Sequence, residues 1–275
     1  MKVPEESQGI GAALLPILER LPVLSRYAKT RGWYYVISWL QRFTGIWLFI
    51  ALMVHMYALS SWQTPNVYYT GLTIPARPIF VSLAWVSSLV VSFHALNGGR
   101  LILYELFGMR NDETMIRWTF GLSAVYAVMV GLLMILKNQR MSAFFFWLMI
   151  FFAGAVTAFV VDSRAAKCRH SLFWKLQRIS GSFLFITVPA YLLFSYLNPG
   201  LADGAKTVVV RLQNAFVRVV TLALAVSALY HAGYGLFSIA ADYASSRTLR
   251  TGVTALICVV IAVLMVLAFR LILSV

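Results

Sequence analysis

Histidine is scarce in this sequence, and two of its four copies recur in one local pattern. His94-Ala95 is followed by Gly98 four residues on and Glu105 eleven on, and His231-Ala232 by Gly235 four on and Asp242 eleven on. If each acid marks the same end of a helix running in the same direction, both imidazoles lie at one depth, about 16 Å from that end at 1.5 Å per residue. Equal depth is what two axial ligands of one iron require, and a b-type haem takes two neutral imidazoles on opposite faces of a flat macrocycle. Gly98 and Gly235 would remove side chains where a ring or a neighbouring helix must come close. The alternative for each histidine is a polar residue hydrogen-bonded between helices, and the matched placement favours ligation. His55 has Tyr191 at its equivalent position and His170 lies near a boundary, so the two differ in depth and are expected to be structural.

Around these sites stand residues suited to hold anions and move protons. Arg42 and Arg178 occupy equivalent places in Gln41-Arg42-Phe43-Thr44-Gly45 and Gln177-Arg178-Ile179-Ser180-Gly181, and Arg100 lies six residues beyond His94. Buried cations need anions, and haem propionates would supply them; an arginine can also hold a quinone carbonyl. Snorkelling to the headgroups is the competing account. Ser38 stands one helical turn before Arg42 and shares its face, offering a hydroxyl beside the guanidinium. Asp242 and Tyr243 add an acid that can relay protons and a phenol that can bond a quinone oxygen, although an ordinary interfacial pair would read the same way.

Long apolar helices must position these groups. Of 275 residues 61% are hydrophobic and 12% charged, and apolar stretches recur along the whole length. Crossing about 30 Å of hydrocarbon takes roughly 20 helical residues. Seven such windows occur: Ile37–Trp62, Ile79–Glu105, Ile116–Leu136, Ser142–Val161, Leu172–Leu197, Ala215–Ala241 and Thr251–Leu273. The stretch Ile10 to Leu24 is interfacial in character. Met1 to Arg31 carries both charge signs and no early apolar run, so it does not read as a cleavable signal. No segment has the charge density of a soluble catalytic head.

The net charge of +14 comes from 23 basic residues placed mostly at the ends of apolar stretches, which points to lipid rather than nucleic acid. Lys2, Arg20, Arg26, Lys29, Arg31, Arg110, Arg164, Lys167, Arg169, Arg247 and Arg250 fall on one side of the seven-span arrangement, against Arg77, Lys137, Arg140, Lys206 and Arg211 on the other. The N-terminus is therefore expected in the cytoplasm and the C-terminus outside, in a membrane of the bacterial inner type. Cys168 and Cys258 belong to no CxxC pair, and Cys168-Arg169-His170 has the CxH spacing of half a Rieske site without the CxxH half.

The two histidine patterns are 137 residues apart and the two Gln-Arg motifs 136. Two parallel copies of a three-helix unit pose a parity problem, because three spans that start inside end outside and the second copy must also start inside. One extra span resolves it. The expected organisation is a segment 1–36, a first three-helix repeat 37–137, a linking helix 138–165 and a second repeat 166–275: an all-α integral membrane fold.

At these residues the chain resembles the cytochrome b membrane anchors of succinate dehydrogenase. Ser38-x-x-Gln41-Arg42-x-Thr44-Gly45 followed by His94-x-x-x-Gly98-x-Arg100 is similar to the larger anchor, with its S-x-x-H-R-x-[ST]-G and H-x-x-x-G-x-R signatures. Arg178, His231-Ala232-x-x-Gly235 and Asp242-Tyr243 resemble the smaller anchor, with its H-A-x-x-G and D-Y signatures. The resemblance covers spans one to three and five to seven. It implies both anchors in one chain, haem b on His94 and His231, propionates at Arg42, Arg100 and Arg178, and a quinone site at Ser38, Arg42 and Tyr243 with Asp242 beside it. It further implies flavoprotein and iron–sulfur partners, with electrons passing to ubiquinone or menaquinone. Gln41 departs from the pattern, standing where the family usually has a histidine near the propionates.

Overall fold

The computed structural model describes residues 33–60, 78–109, 111–136, 143–197 and 212–273. Within them the chain forms seven long helices: α1 Trp33–Ser60, α2 Pro78–Phe107, α3 Asp112–Leu136, α4 Ala143–Ala165, α5 Leu172–Leu197, α6 Ala215–Tyr243 and α7 Arg247–Leu273. The expected windows match these helices to within a few residues, while Ile10 to Leu24 lies outside the described residues. All seven are long and apolar enough to cross a membrane. Even the shortest, α4 with 23 residues, extends about 34 Å at 1.5 Å per residue.

Apolar composition makes these segments helical in lipid, where every backbone N–H and C=O must be satisfied within the segment. Buried hydroxyls obey the same demand: Ser92 Oγ donates to the Ser88 carbonyl at 2.7 Å and Thr187 Oγ1 to the Phe183 carbonyl at 3.0 Å, each one turn back. Pro189 lies inside α5, and its carbonyl accepts a 2.7 Å bond from the Tyr126 hydroxyl of α3. Gly108, with φ of 69°, ends α2 in the left-handed region, and the Met109 N–H closes on the Leu103 carbonyl. At a helix start, Asn214 caps α6 by accepting from the backbone N–H groups of Phe216 and Val217.

The described residues 108, 109 and 111 after α2 and the connections 166–171 and 244–246 all lie at one end of the bundle. This end, called the basic end below, carries Arg164, Lys167, Arg169, Arg247 and Arg250. Helices α1, α2, α5 and α6 pack around one another, with α3 against α2 and α5, and α7 against α6 and α1. Those contacts exchange when α1, α2, α3 are replaced by α5, α6, α7, which is the behaviour of a local two-fold relation. Helix α4 packs chiefly on α5, with further contact to α2 and α6, and has no counterpart. Met56 of α1, Leu229 of α6 and Leu264 and Ala268 of α7 form a buried apolar cluster. Val54, Val125, Phe159 and Val266 face outward, as lipid-facing side chains do.

Candidate functional site

His94 of α2 and His231 of α6 meet at the centre of the four inner helices, ring centroids 6.4 Å apart and ring planes at 87°. Each is embraced by the helix that precedes its own in the bundle. Thr44 Oγ1 lies 3.0 Å from His94 Nδ1 and the Gln41 amide 3.5 Å from its Nε2. In the other half, Ser180 Oγ lies 3.5 Å from His231 Nδ1 and the Gln177 amide 3.5 Å from its Nε2. Gly45 and Gly181 make room for the rings: a Cβ at Gly45 would stand 3.2 Å from His94 Cε1, and one at Gly181 2.9 Å from His231 Cε1. Each Gln-Arg-x-(Ser/Thr)-Gly motif is thus a cradle for the histidine of the next helix. Gly98 and Gly235 admit the glutamine side chains, whose amide nitrogens would lie 3.7 and 3.8 Å from a Cβ there.

Around the cradles the two halves differ. In the first, Arg100 Nε donates to Asn97 Oδ1 at 2.8 Å and Asn97 Nδ2 to Gln41 Oε1 at 2.9 Å. Gln41 Nε2 in turn reaches the His94 carbonyl at 3.2 Å. Asn97 and Arg100 are both buried, so this is a continuous polar chain from a cation to the histidine. In the second half Tyr234 and Phe237 occupy the places of Asn97 and Arg100, and Gln177 Oε1 is buried with no hydrogen-bond partner.

Nearer the basic end each motif arginine finds an acid. Arg42 Nη2 bonds Asp242 Oδ2 at 2.7 Å, its Nη1 donates to Ser38 Oγ at 2.6 Å, and its guanidinium lies 5.7 Å from the centre of the Tyr243 ring. Arg178 pairs with Glu105 through two bonds and stacks on Trp174 at 4.7 Å. Trp174 in turn stacks on His170 at 4.1 Å. The acids that lie eleven residues beyond each histidine are therefore partners of the arginine in the opposite half.

A haem needs two imidazole nitrogens about 2 Å from one metal, as imidazole binds such ions, which sets ring centroids roughly 6 Å apart. The observed 6.4 Å fits that spacing. Among the described residues no three metal-ligating side chains cluster, and a pair of imidazoles is the protein donor set of a b-type iron, whose porphyrin brings the other ligands.

A profile of the succinate dehydrogenase/fumarate reductase transmembrane subunit family matches the chain in two stretches, residues 20–136 and 163–269. The chain belongs to this family. Its members are membrane subunits of succinate dehydrogenase and fumarate reductase complexes, which are oxidoreductases. The gap between the matched stretches, 137–162, takes in most of α4, the helix without a counterpart. Comparison with curated proteins and with solved structures returned no match.

Of the residues singled out by sequence in this family member, two sets come together. His94 and His231 come together, and so do Ser38, Arg42, Asp242 and Tyr243. Arg42 and Arg178 have carboxylate partners, and Arg100 is held by Asn97. His55 meets its repeat counterpart Tyr191, edge to face at 6.4 Å. Sequence reasoning did not pair Glu105 with Arg178, nor assign Asn97, Gln177 and Trp174 any role. The repeat offset carried the signal for Gln177, whereas the Glu105 pairing crosses between halves and has no local signature.

Proposed function

We propose that this chain is the membrane anchor of a succinate:quinone oxidoreductase, two anchor units fused through α4, holding haem b between His94 and His231 and forming a quinone-reducing site. The facing imidazoles at 6.4 Å, each cradled by an equivalent motif, carry the haem reading. When bound, haem b would supply a one-electron store beside the quinone. His94 and His231 would hold its iron, and Arg100 would meet its propionates together with Arg42 and Arg178.

The quinone site is built from Ser38, Arg42, Asp242 and Tyr243. Reduction of a quinone takes two electrons and two protons, and the electrons come from the iron–sulfur partner. Ser38 and Tyr243 present hydroxyl donors to the quinone oxygens, Arg42 stabilises charge developing there, and Asp242 holds Arg42 while offering a carboxylate through which protons pass. Tyr243 and Asp242 are largely exposed at the basic end, open to a docked partner. The site residues bind, orient and move protons, while the redox chemistry belongs to the cofactors. A flavoprotein oxidises succinate, and the iron–sulfur subunit docks on the basic end, which faces the cytoplasm of a bacterial-type inner membrane with the N-terminus inside and the C-terminus outside. Working in reverse, the same anchor would serve a quinol:fumarate reductase with ubiquinone or menaquinone.

One observation favours a second reading, a haem-free anchor: the Gln41 and Gln177 amides face the Nε2 atoms of the two histidines, giving them polar neighbours without a metal. A reduced-minus-oxidised spectrum of the purified chain decides between them, since loss of any b-type α-band removes the haem. Recovery of the chain without flavoprotein and iron–sulfur partners would overturn the anchor assignment itself.

A further inference from the structure

The groups around the two histidines offer different partners to their two ring nitrogens. Thr44 Oγ1 gives its proton to the Leu40 carbonyl at 2.7 Å, one turn back in α1. With its proton so engaged, it turns a lone pair toward His94 Nδ1 at 3.0 Å, which suits a hydrogen on Nδ1. In the second half the acceptor is the backbone. The Gln177 carbonyl lies 3.3 Å from His231 Nδ1, and a carbonyl has no proton to give. Ser180 Oγ, whose own proton points to that same carbonyl at 3.2 Å, stands behind it at 3.5 Å from Nδ1. On the opposite edge of each ring an amide N–H faces Nε2, which matches a lone pair there.

We propose that Thr44 and the Gln177 carbonyl are positioning groups that lock His94 and His231 as Nδ1–H tautomers, leaving each Nε2 with the lone pair that an iron would take. The proposal rests on the haem reading for its purpose, but the tautomers are a property of the chain itself. Metal-bound histidines commonly donate their second N–H to a carbonyl or another acceptor, which fixes the ring and raises its basicity as a ligand. Here the two halves reach that state differently: a side-chain hydroxyl serves His94, and a main-chain carbonyl that no substitution removes serves His231. Gly45 and Gly181 permit both, because a methyl group at either would press on the ring edge next to Nδ1.

The test uses the full chain in detergent, labelled with 15N-histidine and free of haem, with His94→Gln and His231→Gln variants assigning the signals. Both rings are expected to show a protonated Nδ1 and a bare Nε2. Thr44→Val, which keeps the shape and removes the acceptor, is expected to shift His94 to the Nε2–H form, Thr44→Ser to restore it, and Ser180→Ala to leave His231 unchanged. Once haem is loaded, Thr44→Val is expected to raise the midpoint potential, since a less basic ligand stabilises ferric iron less. An Nε2–H signal for either histidine in the unaltered chain, or a Thr44→Val chain identical to it in tautomer and potential, overturns the proposal. Failure of the unaltered chain to take haem overturns the haem reading instead, because the tautomers are measured without it.

Discussion

Arg178 of α5 grips Glu105 of α2 through two parallel hydrogen bonds, Nε to Oε2 at 2.7 Å and Nη2 to Oε1 at 3.0 Å. Its counterpart, Arg42 of α1 on Asp242 of α6, is also 2.7 Å long. Each pair joins an arginine of one half to an acid of the other, so the two halves are stitched reciprocally. The surroundings then diverge. Ser38 and Tyr243 flank Arg42, whereas Trp174 lies against Arg178 and Leu106 occupies the place of Tyr243. One arginine–acid pair keeps hydroxyl neighbours, and the other is closed by an indole.

Removing the Glu105 charge should cost stability without touching the proposed quinone site. Glu105→Gln keeps the shape but gives up the charge-assisted fork, a loss of about 1 kcal/mol for a partly exposed pair. A lowered thermal midpoint of the purified chain checks it, and an unchanged midpoint counts against the fork.

Gly181→Ala should displace His231. A Cβ there would stand 2.9 Å from Cε1 and 3.3 Å from Nδ1, against 3.2 and 3.9 Å for the equivalent change at Gly45. Haem content per chain, read from the α-band, is expected to fall in both variants and further in Gly181→Ala. Equal content in the two variants and the unaltered chain would show that the rings are not held at these glycines.

At the proposed quinone site, Ser38→Ala and Tyr243→Phe each delete one hydroxyl while sparing the bond between Arg42 and Asp242. Quinone KM should rise about tenfold for each, the equivalent of one hydrogen bond near a charged group. The α-band should stay in place. A KM indistinguishable from that of the unaltered complex would move the quinone elsewhere.

The two glutamines are equivalent in sequence but not in cost. Gln41→Leu strands the buried amide of Asn97, a penalty of about 1–3 kcal/mol, because Asn97 Nδ2 donates to Gln41 Oε1. Gln177→Leu removes an oxygen that already has no partner, so its loss is expected to be smaller. Thermal unfolding of the two variants side by side would show the difference, and equal midpoints would refute it.

The seven spans were legible because lipid enforces a simple rule: roughly 20 apolar residues per crossing, charges at the ends. The pairing of His94 with His231 followed from the equal offsets to Glu105 and Asp242, since helical rise converts sequence distance into depth. Partner identity was not legible in the same way. Depth says how far along a helix a group lies but not which neighbour it faces, and Arg178 meets Glu105 across 73 positions of chain. Haem propionates were the anions expected for Arg42 and Arg178, and the structure gives each a carboxylate from another helix. The roles of Asn97 and Trp174 depend on helix rotation within the bundle, which nearly uniform apolar surfaces leave unmarked.

Helix α4, which has no equivalent in the other half, makes the two halves parts of one polypeptide. Separate chains would find each other by diffusion in the bilayer and would need an interface strong enough to persist at low abundance. A covalent return helix instead holds α1–α3 and α5–α7 at an effective concentration on the order of millimolar. Two partly exposed ion pairs and one apolar cluster can then suffice to keep the two histidines together. Neither half can be lost, duplicated or exchanged without the other, so the stoichiometry of the central site is written into the connectivity.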